Sequence, residues 1–267
     1  MNRISSSSNL PWLRNRIAVM EVFGNITSSS RVAQQVRILH ALREDKRVRA
    51  VVLDIDSPGG SAALSDHLHR ALASVDERKP VIAHVRNVAL SGGYLVSCAA
   101  RRIVALPTAT IGSIGVIIAR PIVRDLMSRM GVQMYVSRVG EHKDMLQPWR
   151  EPTPEEEQKL ADLRDEIYEW FIATVSRTRG LEEDRVRSYA TGEIFTAARG
   201  IDMGLVDELG DMDTALDMAS EMGRVPRVLA YVRPRRPLFE RLLAPVGSAM
   251  ADRVLAAVEA RLRFRVE

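Results

Sequence analysis

Short apolar runs alternate with amphipathic stretches along the first half of the chain. Runs rich in β-branched residues at 16–24, 48–57 and 80–85 predict buried parallel strands. Helical spacing of apolar residues over 27–42 and 61–75 predicts helices between these strands. The alternation of strands with helices predicts an α/β fold with right-handed crossovers.

The second half continues this alternation with shorter elements. After Ser91, small residues at helical spacing predict a helix to about residue 100. Apolar runs and alternations predict strands at 101–106, 111–118, 132–140 and 225–232, and a helix at 121–131.

A long helix is predicted over 153–179. Thr153 can cap its first turn, Pro154 suits the first helical position, and three glutamates lie near the positive end of the helix dipole. One apolar stripe runs along this segment: Leu160, Leu163, Ile167, Phe171 and Val175.

The two ends of the chain differ from this α/β region. The N-terminal residues lack the long apolar run of a signal peptide or a transmembrane helix, so neither is expected. Residues 237–267 have the spacing of an amphipathic helix. We therefore expect an N-terminal extension over 1–15, one domain over 16–232 and a C-terminal amphipathic helix over 233–267.

Composition fits a globular protein with a sizeable core. The 267 residues are 46% hydrophobic and 27% charged, and the formal net charge of +4 is too modest to indicate a nucleic-acid partner. Cys98 is the only cysteine, so no disulfide can form within the chain. Only four of the 38 basic residues are lysines, and arginine cannot act as a base because it stays protonated.

One corner of the predicted sheet has an unusual composition. The apolar run that ends at Leu90 is followed by Ser91, two glycines and a helical pattern of small residues. Two glycines alone would make a turn, whereas a nucleophile benefits from an accessible hydroxyl with unobstructed backbone N–H groups around it. Ser91 is therefore the candidate nucleophile.

Other candidates are weaker. Ser57, Ser61 and Ser113 also lie beside glycines, which is typical of ordinary turns, and no G-x-S-x-G motif occurs. Nothing in the sequence positions any of the five histidines for a Ser-His-Asp triad. His67 and His69 are two residues apart on a predicted helix, so they do not share a face for metal binding.

Lys143 is the candidate base. A neutral lysine can take a proton from a serine and return it to a leaving amine. Free lysine titrates near ~10.4, so this role needs a fall of about 3 pH units, about 4 kcal/mol, which burial would supply. Arg138 and Arg150 would add like charge, and Asp144 is expected to point outward because an inward carboxylate would oppose the fall.

Five motifs together resemble one known family. They are, in order, "DSPGG" (56–60), "ALSGGYLVSCAARRIVA" (89–105), "IGSIGVI" (111–117), "EHKDMLQPWREPTPEE" (141–156) and "GEIFTAARGIDMGLVDELG" (192–210). The chain resembles the signal peptide peptidase A (protease IV) family of Ser-Lys serine peptidases from about residue 16 to 230. The resemblance implies the ClpP/crotonase-like α/β fold, with repeated β-β-α units, a parallel sheet, a long helix after the lysine loop, and assembly into rings or domes.

The resemblance also implies roles for individual residues. Ser91 matches the nucleophile, Lys143 the general base, and Ser113 the serine that helps hold the lysine amine. Together they imply a serine endopeptidase that needs no metal and no organic cofactor. Its implied substrates are extended apolar peptides, such as signal-peptide remnants or segments of membrane proteins.

The resemblance also assigns three glycines to the oxyanion and substrate site. Gly59 and Gly60 correspond to the loop that offers backbone N–H groups, and Gly92 is placed to give a second donor directly after the nucleophile. The segment 111–118 is expected to pair with substrate as an added strand.

Two features depart from the family. Many members carry an N-terminal membrane anchor that is not seen here, so we expect a cytoplasmic protein, with peripheral contact at the inner membrane face as the alternative. The segment 237–267 matches nothing in the family. Its nearly balanced charges favour a subunit contact in a homo-oligomer over a membrane surface.

Two other functions stay open at this point. A crotonase-type acyl-CoA enzyme would share the fold and oxyanion hole, but would also need a basic site for the CoA phosphates, which the sequence does not show. A catalytically idle scaffold that binds peptides would have no need of Ser91 and Lys143.

Overall fold

The computed structural model describes residues 15–233. The predicted extension over 1–15 and the predicted helix over 233–267 therefore lie outside the described residues, apart from one residue each. In the described part, strands and helices alternate over most of the chain, and the predicted α/β class is confirmed.

The strands and helices of the described residues have the following bounds. The strands are β1 Arg16–Phe23, β2 Val48–Ser57, β3 Val81–Leu90, β4 Arg102–Ala105, β5 Thr110–Gly112, β6 Ile194–Thr196, β7 Glu208–Leu209 and β8 Leu229–Val232. The helices are α1 Ser29–Glu44, α2 Ala62–Asp76, α3 Gly92–Ser97, α4 Arg124–Arg129, α5 Pro154–Arg179, α6 Glu183–Tyr189, α7 Ala197–Met203 and α8 Met212–Gly223.

One mostly parallel sheet forms the centre of the fold. Its main order is β6-β5-β3-β2-β1-β8, with β4 paired to β3 and β7, and only the β5–β6 pair is antiparallel among the described strands. Parallel strands end at the same edge, so Ser57 at the end of β2 pairs with Ala89 near the end of β3. This register brings the segment after Ser57 next to the corner at Ser91.

Helices cover both faces of the sheet, which explains why the central strands are almost continuously apolar. On one face, side chains such as Leu53, Leu72 and Tyr94 form the larger core with α1, α2, α3 and the C-terminal half of α5. On the other face, Val52 and Ile82 pack against Leu216 of α8.

The predicted long helix is confirmed, although only part of it packs on the core. Thr153 and Glu156 form a capping box, and Gly180 ends the helix in the left-handed conformation with φ 64°. Phe171 and Val175 are buried, whereas Leu163 in the N-terminal half is 43% exposed. The first half of α5 therefore projects from the core of the single chain.

The strand predicted at 132–140 is wrong. The described structure has no strand between β5 and β6, and Tyr135 and Val139 in this segment are 92% and 97% exposed. The alternating pattern is that of a strand, but β5 already lies between β3 and β6, so it offers this segment no edge. The strand predicted at 111–118 is likewise reduced to β5.

A helix that crosses a bilayer must be long enough for the hydrocarbon core and predominantly apolar. None of the helices described over residues 15–233 is both long and apolar enough to cross a membrane.

Candidate active site

Ser91 lies at a strained corner between β3 and α3. Its backbone has φ 50° and ψ −120°, a conformation that side-chain-bearing residues rarely adopt. The corner is held by the N–H of Ser91, which donates to the Gly112 carbonyl at 2.9 Å, and by the N–H of Leu95, which donates to the Ser91 carbonyl at 2.9 Å. Such strain persists only where surrounding structure enforces it, and it concentrates at functional sites.

Ser91 and Ser113 line the same cavity. Ser113 follows β5, has φ 51°, and donates its N–H to the Glu193 carbonyl at 2.7 Å. The described residues contain only one other non-glycine residue with positive φ, Arg224. Two of the three such residues therefore meet in one cavity of about 470 Å³.

The remaining walls of this cavity come from three segments. Residues 115–117 form one wall, and their backbone N–H and C=O groups make no hydrogen bond to other described residues. The other two segments are α5, with Arg164, Asp165 and Tyr168, and residues 190–192, and the Tyr168 hydroxyl donates to the Ala190 carbonyl at 2.7 Å. Sequence reasoning missed this α5 wall, because the apolar stripe does not show which polar side faces the cavity.

The glycine loop, residues 58–61, packs directly against the Ser91 corner. A Cβ atom on Gly59 would lie 2.6 Å from the Gly92 nitrogen, and one on Gly60 would lie 2.5 Å from the Ile26 carbonyl oxygen. Both positions have positive φ, at 95° and 153°. Only glycine fits this approach of the loop to the corner.

The three predicted glycine N–H groups differ in availability. The Gly59 N–H donates to Ser57 Oγ at 3.1 Å, so it is already engaged. The N–H groups of Gly60 and Gly92 donate to no acceptor among the described residues. Of these three glycines, Gly60 and Gly92 therefore have free N–H groups beside Ser91.

Lys143 lies outside this cavity in the single chain. It belongs to a turn at 141–146, its N–H donates to the Gly140 carbonyl at 3.3 Å, and its side chain is exposed. Lys143 is not among the residues that line the cavity with Ser91 and Ser113. The single chain does not supply the apolar cover that the sequence predicted for it.

Asp144 is buried, so the prediction that it points outward is wrong. Its carboxylate accepts hydrogen bonds from Arg138 and from Arg150, the latter at 2.8 and 3.0 Å. Arg150 also donates to Glu156 at 2.5 and 2.7 Å. Both arginines therefore pair with carboxylates, and Arg150 ties the lysine turn to the start of α5.

This network lowers the pKa values of both carboxyl groups. The hydrogen bonds from Arg150 are the main cause, and they bring the pKa of Asp144 to about 2 and that of Glu156 to about 2. Both groups are therefore ionised at neutral pH, and the charges around the turn are compensated.

No histidine of the chain lines the cavity. His84 does pair with Asp54 at 2.8 Å, but both side chains are buried, on β3 and β2, and neither lines the cavity. The described structure therefore contains no Ser-His-Asp arrangement around Ser91.

One group of described residues has the spacing of metal ligands. Ligand atoms of Glu141, His142 and Glu155 lie within 4.8 Å of one another. We assign no metal to this group, because both carboxylates are exposed and Glu155 already pairs with Lys159 at 3.2 Å.

Comparisons with known proteins bear on the family and the fold. The sequence model of peptidase family S49 matches residues 73–225. The chain is 34% identical to "Putative protease slr0021" of Synechocystis sp. over 234 residues, which cover 86% of this chain and 83% of the relative. It is 32% identical to "Putative signal peptide peptidase SppA" of Enterococcus faecium over 67% of this chain and 52% of that protein.

A solved structure confirms the fold class. A ClpP1 mutant from Listeria monocytogenes superimposes with a TM-score of 0.52 at 14% identity, covering 74% of this chain and 93% of that one. At this identity the likeness concerns the fold alone, which is the predicted ClpP-like α/β fold. Together with the family match, which includes both the Ser91 corner and the lysine turn, it identifies the chain as a member of peptidase family S49, the family that the five motifs indicated.

Proposed function

We propose that this chain is a serine endopeptidase in which Ser91 is the nucleophile and Lys143 the general base. The observation that carries the proposal is the Ser91 corner, a strained serine in a cavity with the free N–H groups of Gly60 and Gly92 beside it. Nucleophile and oxyanion donors are the two parts that acyl transfer requires in one place.

The proposed reaction proceeds through an acyl-enzyme. Ser91 Oγ attacks the peptide carbonyl carbon while its proton passes to neutral Lys143, and the N–H groups of Gly60 and Gly92 stabilise the oxyanion. The lysine then protonates the leaving amine as the C–N bond breaks. Water attacks the ester and gives a proton to the lysine, which passes it to Ser91 Oγ as the bond between Oγ and the carbonyl carbon breaks and the acid leaves. Ser113, in the same cavity, is proposed to hold the lysine amine.

The cavity walls favour an extended peptide as substrate. The unpaired backbone groups of residues 115–117 can hydrogen-bond a peptide strand laid along them. Val116 and Ile117 also line the cavity, and Ile117 is 85% exposed, so apolar side chains of the substrate would find contacts there. We propose signal-peptide remnants and segments of membrane proteins as the substrate class.

The exposure of Lys143 leads us to propose that the active form is a homo-oligomer. A lysine base must be neutral, and removal from water is what favours the neutral amine. Apolar side chains are exposed along residues 117–139, including Ile117, Tyr135 and Val139. A second copy that covers this segment would bury apolar area and shield the lysine turn together. The segment 237–267, outside the described residues, stays a predicted subunit contact.

A serine-directed fluorophosphonate tests the proposal. We expect one label per chain, mapped to Ser91, with the label lost in Ser91→Ala and retained in Ser113→Ala. Hydrolysis of unfolded apolar peptides should be lost in Ser91→Ala as well. An unlabelled, folded and assembled wild-type protein would refute the peptidase, and turnover of acyl-CoA thioesters in its place would support the crotonase-type alternative.

A further inference from the structure

Ser57 is a buried serine beside the glycine loop to which the reaction above gives no role. It ends β2, and no part of it is exposed. Its hydroxyl donates to the Gly24 carbonyl at 2.7 Å and accepts the Gly59 N–H at 3.1 Å. One side chain therefore joins the segment after β1 to the glycine loop.

Two further backbone hydrogen bonds join the glycine loop to the same segment. The Ile26 N–H donates to the Gly59 carbonyl at 2.8 Å, and the Ser61 N–H donates to the Ile26 carbonyl at 3.0 Å. The peptide units on both sides of Gly60 are thus anchored through their neighbours, while the Gly60 N–H itself is free. Its direction depends on these anchors.

Two consecutive glycines cannot maintain this conformation by themselves. Glycine has access to most of the backbone map, so hydrogen bonds rather than side-chain sterics must select the φ of 95° at Gly59. Of the three anchors, only the one from Ser57 is made by a side chain, and it holds the peptide unit immediately before Gly59. Without this anchor, the Gly59 N–H would be buried and unpaired. Rotation of the loop would then be favoured, because it could bring this N–H to another acceptor.

We propose that Ser57 is a positioning residue, whose hydroxyl fixes the glycine loop so that the Gly60 N–H faces the oxyanion formed at Ser91. The inference rests on the proposed function, because it assigns Ser57 to the oxyanion hole of that reaction. Ser57 touches no reacting atom and acts through Gly59 and Gly60.

The test compares Ser57→Ala with Ser220→Ala. Ser220 is the matched control because its hydroxyl also donates to a loop carbonyl, that of Val225 at 2.6 Å, on the opposite face of the sheet. Misplacement of one oxyanion donor should lower the kcat of Ser57→Ala by about 10- to 100-fold, with KM changed less than about 2-fold. The affinity for a peptide aldehyde, which forms a tetrahedral adduct, should fall in parallel with kcat. Ser220→Ala should keep both values.

A purely structural role would give a different result. It would lower the thermal midpoint of Ser57→Ala while kcat per labelled active site stayed at the wild-type value, and that outcome would overturn the inference. Ser57→Cys keeps a side chain of similar shape with weaker hydrogen bonds, so it should show the kcat loss even if the alanine variant folds poorly. Failure of the fluorophosphonate to label wild-type Ser91 would overturn the proposed function and this inference with it. Normal labelling with unchanged kcat in both variants would overturn the inference alone.

Discussion

Replacement of Gly92 by alanine tests how closely the corner after the nucleophile is packed. The backbone of Gly92 is outside the left-handed region, so alanine brings no strain in φ. Its Cβ would, however, lie 2.2 Å from Ser65 Oγ and 3.0 Å from Ser65 Cβ. Ser65 is fully buried on α2, and therefore cannot turn into solvent to make room.

The expected magnitudes follow from these distances. Overpacking of this kind costs about 1–3 kcal/mol in the free energy of unfolding. The Ser65 hydroxyl has no hydrogen-bond partner among the described residues, so Ser65→Ala alone should stabilise the protein by about 1 kcal/mol. In the double variant the 2.2 Å clash with the Ser65 hydroxyl is removed, and of the two contacts with residue 65 only the 3.0 Å contact with its Cβ remains. We therefore expect the double variant to be about 1 kcal/mol more stable than the sum of the two single changes predicts.

Urea unfolding of the wild type, both single variants and the double variant measures this coupling. All four proteins are compared at one protein concentration, because assembly would otherwise shift apparent stability. If the two free-energy changes add to within about 0.3 kcal/mol, Ser65 and Gly92 are not in contact and the proposed packing of the corner is refuted.

Three further predictions concern the lysine turn and its surroundings. Lys143→Arg should fold and assemble normally but lose turnover by at least about 10²-fold, because arginine cannot become a neutral base; measured kcat near the wild-type value would exclude the proposed role. Asp144→Asn should lower stability at pH 7, and the difference from the wild type should shrink as pH falls from about 4 toward 2. The sign follows from the pKa of Asp144, which is lowered to about 2 in the folded protein. The ionised carboxylate contributes its full stabilisation above the ordinary pKa near 3.8, and this stabilisation is lost as pH falls and the native carboxylate is protonated. A difference that is unchanged at low pH in denaturation curves would contradict this. Tyr135→Glu should reduce the assembly mass in light scattering and the turnover together, whereas His40→Glu, a change at another exposed residue, on α1, should alter neither. An unchanged mass for Tyr135→Glu would place the subunit contact elsewhere.

The sequence predicted those parts of the fold whose pattern has a single physical solution. Buried parallel strands such as β2 need continuous apolar runs, and Thr153 and Pro154 mark the start of α5, so both elements were predicted with nearly correct bounds. The Ser91 corner was found for a similar reason, because a serine followed by two glycines at the end of a strand is rarely needed for folding alone.

The remainder depended on contacts between distant residues. The alternation at 132–140 fits a strand only if an edge is available, and no local pattern shows that β6 has taken the edge of β5. The burial of Asp144 follows from two arginines that fold back onto it, which residue types do not reveal. Ser57 was predicted to be an ordinary turn residue, because the hydrogen-bond partner of its hydroxyl, Gly24, lies 33 positions away in the sequence.

The ion-paired network of Arg150 also has a mechanical consequence. Through Asp144 and Glu156 it joins the lysine turn to the first turn of α5, and twelve residues later, about 18 Å along the same helix at 1.5 Å per residue, Tyr168 forms part of the cavity wall. One helix thus holds the lysine turn at its start and forms part of the cavity wall further along. A change in the position of α5 would therefore alter both the proposed peptide-binding wall and the turn that carries the proposed base.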